Sequence, residues 1–312
     1  MLDPDISRLL ATVFAKPPAM PPDVAALRSA AESAPKLLGG EPEPVDDVRD
    51  ASIAGGARGV VPARIYRPAA KAPLPALLFA HGGGWVTGSL ESHDRVCRQL
   101  ANRLGAIVVA VDYACAPEHR YPAALDDVHA AWDWLQREAA TLGADASRLV
   151  VGGDSSGGNL AAALALRLRR HGSPQPAAQF LLYPTVDRRA QSASYDRFAE
   201  GHNLTAAMMR WYWQAYDPDG QADDPELSPL AAGDVAGLAP AVVAVAAADV
   251  LRDEGLAYAG RLRERGVPVR LVACDGMIHG FLRWTGAVPA ARAHVEAICA
   301  ALRDLLDASS RP

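Results

Sequence analysis

From Val45 onward the chain alternates short apolar runs with longer mixed ones. Ala76–Ala80 (ALLFA), Ala106–Val111 (AIVVAV), Leu149–Val151, Gln179–Tyr183 (QFLLY) and Ala241–Ala247 are almost continuously hydrophobic. A strand with one wet face would alternate polar and apolar positions, so these runs predict strands covered on both faces, as in a parallel sheet. Between them, Ser92–Leu104, Pro122–Ala140, Gly158–Arg170 and Asp253–Gly266 read as helices. Pro122 suits a first helical turn, and Gly143, Gly172 and Gly266 stand where helices stop. Strand–helix–strand alternation predicts an α/β protein with a doubly wound, mostly parallel sheet flanked by helices. Ahead of it, Val48–Ile53 and Val60–Tyr66 flank Gly55 and Gly56 and predict an antiparallel hairpin.

Two segments break the alternation. Residues 1–44 are helical in pattern, then rich in proline and acid, and residues 187–233 put far more chain between two strands than a crossover needs. The second segment concentrates Tyr195, Phe198, Met208, Met209, Trp211, Tyr212, Trp213 and Tyr216. Such side chains ordinarily pack a core, but gathered in one insertion they suit a lid over an apolar pocket. The expected organisation is a core of residues 45–186 and 234–312, capped by residues 1–44 and 187–233. Trp85, Tyr183, Met208, Trp211 and Tyr212 are the expected pocket residues.

Composition narrows the field. Half of the 312 residues are hydrophobic, enough for a large core, and the net charge is −5. That balance supplies no basic field for nucleic acid or anionic lipid. No apolar run reaches the length of a membrane span, and the opening MLDPDISRLL has acids where a secretory signal needs bases. Cys97, Cys115, Cys274 and Cys299 lie far apart without metal-ligand spacing, so reduced thiols, no metal and a cytoplasmic location are expected. The oligomeric state stays open, a homodimer included.

The strongest chemical signal is Gly153-Asp154-Ser155-Ser156-Gly157, with an apolar strand before it and an alanine-rich helix after. A sharp strand-to-helix turn lifts a serine hydroxyl to the carboxyl end of a sheet, and small neighbours make room for it. The amide that follows and the helix dipole then face developing negative charge. A second signal, His81-Gly82-Gly83-Gly84-Trp85, follows the ALLFA run directly. Consecutive glycines cost entropy and let backbone amides approach a substrate oxygen closely. A serine nucleophile also needs a base and an orienting acid. His93, His119, His129, His171 and His202 read as surface or packing residues, and His294 falls on an amphipathic terminal helix. His279 falls in a loop after the VPVRLVAC run, where catalytic groups collect. Asp249, at the end of another run, is the favoured acid, with Asp275 its rival.

Together these motifs resemble the bacterial hormone-sensitive-lipase-like esterases, the family IV carboxylesterases of the α/β-hydrolase fold. The resemblance extends over nearly the whole chain. Beyond the two signals above, it rests on DYACAPEHRYPAALDD from Asp112, YPTVD from Tyr183, SPL from Ser228, DVLRDEG from Asp249 and GMIHGF from Gly276. It implies Asp249 as triad acid with Ser155 and His279, and the amides of Gly83, Gly84 and Ser156 as oxyanion hole. It also implies small ester substrates of short to medium acyl chain and no cofactor. Alternatives on the same fold are an amidase or peptidase, or a receptor without catalysis. Plant receptors of this kind have lost the triad histidine, whereas His279 is present. Two departures stand out: Ser156 replaces the family's usual alanine, and Ala114-Cys115 replaces an arginine–leucine pair, which bears on local packing.

Overall fold

A computed structural model of the protein describes residues 1–16 and 19–309. Helices α1 (Pro4–Thr12) and α2 (Val24–Leu38) precede the hairpin β1 (Asp47–Ala54) and β2 (Val60–Arg67). Then come β3 (Leu74–Ala80), α3 (Leu90–Leu104), β4 (Ile107–Val111), α4 (Ala123–Leu142), β5 (Ala144–Asp154), α5 (Ser156–Arg170) and β6 (Ala178–Leu182). The chain continues through α6 (Ala193–Arg197), α7 (Ala206–Tyr216), β7 (Ala241–Ala248), α8 (Arg252–Glu264), β8 (Val269–Ile278) and α9 (Pro289–Ser309).

One eight-stranded sheet runs β1-β2-β4-β3-β5-β6-β7-β8. Its β1/β2 and β2/β4 pairs are antiparallel and the other five parallel. The continuous hydrophobicity has the predicted cause: every residue of β4 and β6 is buried, because helices cover both faces. Edge strand β1 is mostly exposed and carries Asp47, Arg49 and Asp50, charges that discourage pairing with another chain.

Strand order reverses at β3. The chain leaves β3 for β4 on one side, while β5 on the other side leads on to β6. In open α/β sheets a crevice forms at such a switch point, beyond the carboxyl ends of the strands. The glycine-rich loop follows β3 and the Ser155 turn follows β5, so topology alone brings the two signals to one edge.

Helix limits shift by one or two residues from expectation, and two of the starts are informative. Pro122 is the N-cap of α4 rather than its first residue. Helix α5 begins at Ser156, not Gly158, because Gly157 and Gly158 are helical despite their poor propensity. A β-carbon at Gly157 would fall 1.9 Å from the Ala80 carbonyl oxygen, and one at Gly158 2.9 Å from Pro184. Close packing of the helix start, Gly157 on the end of β3 and Gly158 on the residues after β6, demands glycine there.

Candidate active site

Ser155 is the single residue between β5 and α5, with φ 56° and ψ −119°. A non-glycine residue adopts that conformation only at a cost, on the order of 1–3 kcal/mol, borne by the surrounding packing. Gly153 permits the turn, since a β-carbon there would lie 2.3 Å from the Ala80 carbonyl oxygen.

The turn presents the Ser155 hydroxyl to His279, which follows β8: Oγ lies 2.9 Å from Nε2. The other ring nitrogen, Nδ1, lies 2.7 Å from Asp249 Oδ2. A carboxylate can only accept, so Nδ1 carries the proton and Nε2 is left as acceptor for the serine hydroxyl. Asp249 is buried at the end of β7, and its other oxygen accepts the Leu251 amide at 3.0 Å. Asp275 sits on β8 with its side chain exposed and meets neither His279 nor Ser155 in a hydrogen bond. Its carbonyl instead pairs with His294 Nε2 at 3.1 Å. The chain therefore brings together Ser155, His279 and Asp249, and keeps Asp275 and His294 apart from them.

The three glycine amides of the loop after β3 have different fates. Gly82 donates to Asp154 Oδ1 at 2.7 Å. The amides of Gly83 and Gly84 donate to no acceptor among the described residues. Ser156, at the first position of α5, has an amide with no intrahelical acceptor. Gly83 and Gly84 line the same cavity as Ser155. Their φ values are 130° and 62°, and a β-carbon on Gly84 would lie 2.2 Å from the Tyr212 ring. Gly83 and Gly84 thus bring two unspent donors to the cavity that Ser155 lines, and Ser156 adds a third directly after it in the chain.

Buried polar groups fasten this loop. The Tyr113 hydroxyl donates to the His81 carbonyl at 2.7 Å, and the two rings stack at 4.2 Å. Burial, reinforced by the neighbouring His93, lowers the His81 pKa to about 3 and keeps the ring neutral. His93, expected at the surface or in packing, is buried with Nε2 3.2 Å from Asp154 Oδ1. Burial opposes ionisation of Asp154, but the His93 ring, the Arg283 charge and the Gly82 amide outweigh it and hold the carboxyl at about 2. The ionised carboxylate is therefore available to grip Gly82.

A cavity of about 350 Å³ opens over Ser155. Of the expected pocket residues, Met208 and Tyr212 line it. Trp85 does not: its ring is fully buried, stacked on Tyr216 at 4.5 Å and tilted against Trp213 at 4.3 Å. Tyr183 also lies behind the wall, its ring edge-on to His279 at 4.9 Å and its hydroxyl 3.4 Å from Asp154 Oδ2. Trp211 precedes Tyr212 on α7 and so faces about 100° away from it; it leans on the Tyr212 ring at 5.3 Å, outside the lining. The lining missed from sequence includes Met209, Trp284, Arg283 and one face of α2: Leu27, Ala30, Ala31 and Ala34. Their i, i+3, i+4, i+7 spacing is a helical face, legible in principle, but alanine carries too little hydrophobic weight to draw attention. A second cavity of about 630 Å³ adjoins the first, sharing Phe14, Lys16, Asn203 and Met208.

Among the described residues no cluster of three or more His, Cys, Asp or Glu is placed to hold a metal ion. None of the described helices is long and apolar enough to cross a membrane.

Residues 77–283 match a family model described as the alpha/beta hydrolase fold. The chain is 45% identical over 243 residues to a carboxylic ester hydrolase of Mycobacterium tuberculosis, covering 76% of this chain and 64% of that protein. It is 40% identical over 258 residues to an ethyl acetate hydrolase of Pseudomonas putida, covering 81% of each. Among solved structures it superposes on a hyperthermophilic esterase from the archaeon Pyrobaculum calidifontis with a TM-score of 0.92. The two are 38% identical, over 97% of this chain and 98% of that one. Sheet order, switch-point site and these likenesses lead to one statement: the chain belongs to the α/β-hydrolase family, among its hormone-sensitive-lipase-like carboxylesterases.

Proposed function

We propose that this carboxylic-ester hydrolase works by two-step acyl transfer on Ser155. As the Ser155 oxygen attacks the ester carbonyl, His279 Nε2 takes its proton, and Asp249 holds the ring in the useful tautomer and stabilises the imidazolium. The amides of Gly83, Gly84 and Ser156 receive the oxyanion, each such donor being worth about 3–4 kcal/mol in sites of this kind. His279 then protonates the departing alcohol, and water repeats the sequence on the acyl-enzyme. The observation that carries this reading is the Ser155–His279–Asp249 chain of hydrogen bonds at 2.9 and 2.7 Å.

The N-terminal helices and residues 187–233 act in this reading as a cap. The cavity of about 350 Å³ over the nucleophile supports a preference for short to medium acyl chains. Four free cysteines support a cytoplasmic location. Ser155→Ala is the test. It should abolish hydrolysis of p-nitrophenyl butanoate and labelling by a fluorophosphonate, with the melting temperature nearly unchanged. Retention of most of the turnover would move the nucleophile elsewhere, and a wild-type protein inert to both reagents would be a receptor.

A further inference from the structure

The chamber around Ser155 holds a charge that acyl transfer does not use. Arg283 stands in a short 3-10 turn, Phe281–Trp284, just after the triad histidine. It lines the same cavity as Ser155, Gly84 and His279. A β-carbon on Gly280 would meet its Nη2 at 3.1 Å, so the guanidinium lies over the residue next to His279. Its Nε is buried without a hydrogen-bond partner, and Arg283 enters no ion pair among the described residues.

Other partly buried arginines of this chain are treated differently. Arg167 grips the buried Glu226 at 2.7 Å, and Arg188 grips the buried Asp217 at 3.1 Å. Arg283 has no acid at ion-pair distance among the described residues, and its charge acts on Asp154 only from farther off. Asp154 is the acid in the cavity lining, and its Oδ1 is engaged by Gly82 and approached by His93. The exposed Lys16 on the same lining adds a second positive charge. A guanidinium stays protonated at every accessible pH and presents a fork of donors matched to a carboxylate. Holding it in a largely apolar chamber with no acceptor in contact is costly unless a ligand completes it.

We propose that Arg283 is a carboxylate-binding subsite, and that the enzyme takes esters bearing a carboxylate a few carbons from the scissile carbonyl. This rests on the reading of Ser155 as nucleophile above. The carboxylate is a spectator: the reaction stays hydrolysis, with water consumed and an acid and an alcohol released. A neutral ester of equal length would leave the buried Nε side of the guanidinium without an acceptor, so the site discriminates through a missing partner. The carboxylate arrives on either arm, acyl or alcohol.

Proton-release assays test both arms. Monoethyl glutarate is compared with ethyl pentanoate for the acyl arm, and 4-(butanoyloxy)butanoate with butyl butanoate for the alcohol arm. In the wild type at least one charged ester should have the higher kcat/KM of its pair. Arg283→Met should lower that charged-to-neutral ratio ten-fold or more, chiefly through KM, and Arg283→Lys should restore part of it. Arg283→Gln serves if the methionine variant fails to fold. A ratio that the variants leave unmoved on both arms overturns the subsite. Calorimetry separates this inference from the reading of Ser155. Should the protein hydrolyse no ester, the charged member of at least one of the two pairs must still bind more tightly than its neutral partner, and lose that advantage in Arg283→Met. Equal binding within both pairs would reject the subsite by itself.

Discussion

The floor and the roof of this active site are built by opposite means. The floor is backbone. Gly153 and Gly157 press against the end of β3 at distances no β-carbon tolerates, and Gly82 is bolted to Asp154 by a 2.7 Å hydrogen bond. The roof is side chain, contributed by α2 and by α7 with the loop before it, two segments that lie far apart in sequence. A floor made of backbone leaves almost no freedom to vary, because each contact is set by main-chain geometry. A roof of alanines and methionines is exchangeable, one volume for another. Reaction type belongs to the first region and substrate choice to the second.

Breaking the floor should have the largest effect. Asp249→Asn should lower kcat for p-nitrophenyl butanoate by about 10⁴-fold, the size expected when a triad base loses its tautomer. Asp275→Asn, altering an exposed side chain away from the triad, should stay within about two-fold. Steady-state kinetics on the pair decides the matter, and the reverse ranking would move the acid to Asp275.

Changing the roof should redirect turnover instead of stopping it. Each methylene that meets apolar wall gains about 0.8 kcal/mol, roughly four-fold in kcat/KM, until the chamber is full. A series of p-nitrophenyl esters should therefore rise, peak and fall. Ala31→Phe, which fills the α2 wall, should move the peak to shorter chains while short esters keep their rates to within about ten-fold. A profile still climbing at long chains would show that the second cavity accepts the overflow.

The smallest effect concerns the joint between the two regions. Glu254 is buried and accepts the Val186 amide at 2.7 Å and the Asp187 amide at 3.4 Å, where the chain leaves the core for the insertion. Burial pushes its carboxyl up to about 8 from the usual 4.5. The folded protein thus keeps a proton that the unfolded chain releases near pH 4.5. The stabilisation is complete below that pH and is lost as pH rises through about 8. The melting temperature should show a decline of a few degrees across this window, and Glu254→Gln should flatten it. An equally steep decline in the variant would place its origin elsewhere.

The same contrast explains what was legible in the sequence. The floor announces itself locally: glycines at 153 and 157 around a serine, or three in a row after a buried strand, are demands of close approach that have few other causes. Continuous runs likewise revealed the parallel sheet, because burial on both faces leaves no room for polar positions. The acid was harder. Asp249 and Asp275 both sit near strand ends, and only the fold shows one buried against His279 and the other turned to solvent. The roof was legible as a region but not residue by residue. Trp85 and Tyr183 are large enough to suggest a pocket, yet core packing took them, while small Ala30, Ala31 and Ala34 form the wall. Which face of a helix meets a cavity depends on its docking partner, which a one-dimensional pattern does not contain.

The left-handed conformation of Ser155 also bears on how such a chain ages through evolution. Turnover depends on a residue that the backbone at this point would exchange for glycine at a gain in stability. Selection for hydrolysis alone holds serine there against that pull. Were it relaxed, this position should be among the first to drift, and a descendant kept for binding alone would be sturdier than its catalytic ancestor. In that lineage the loss of the nucleophile would mark a relief of strain as much as a decay of function.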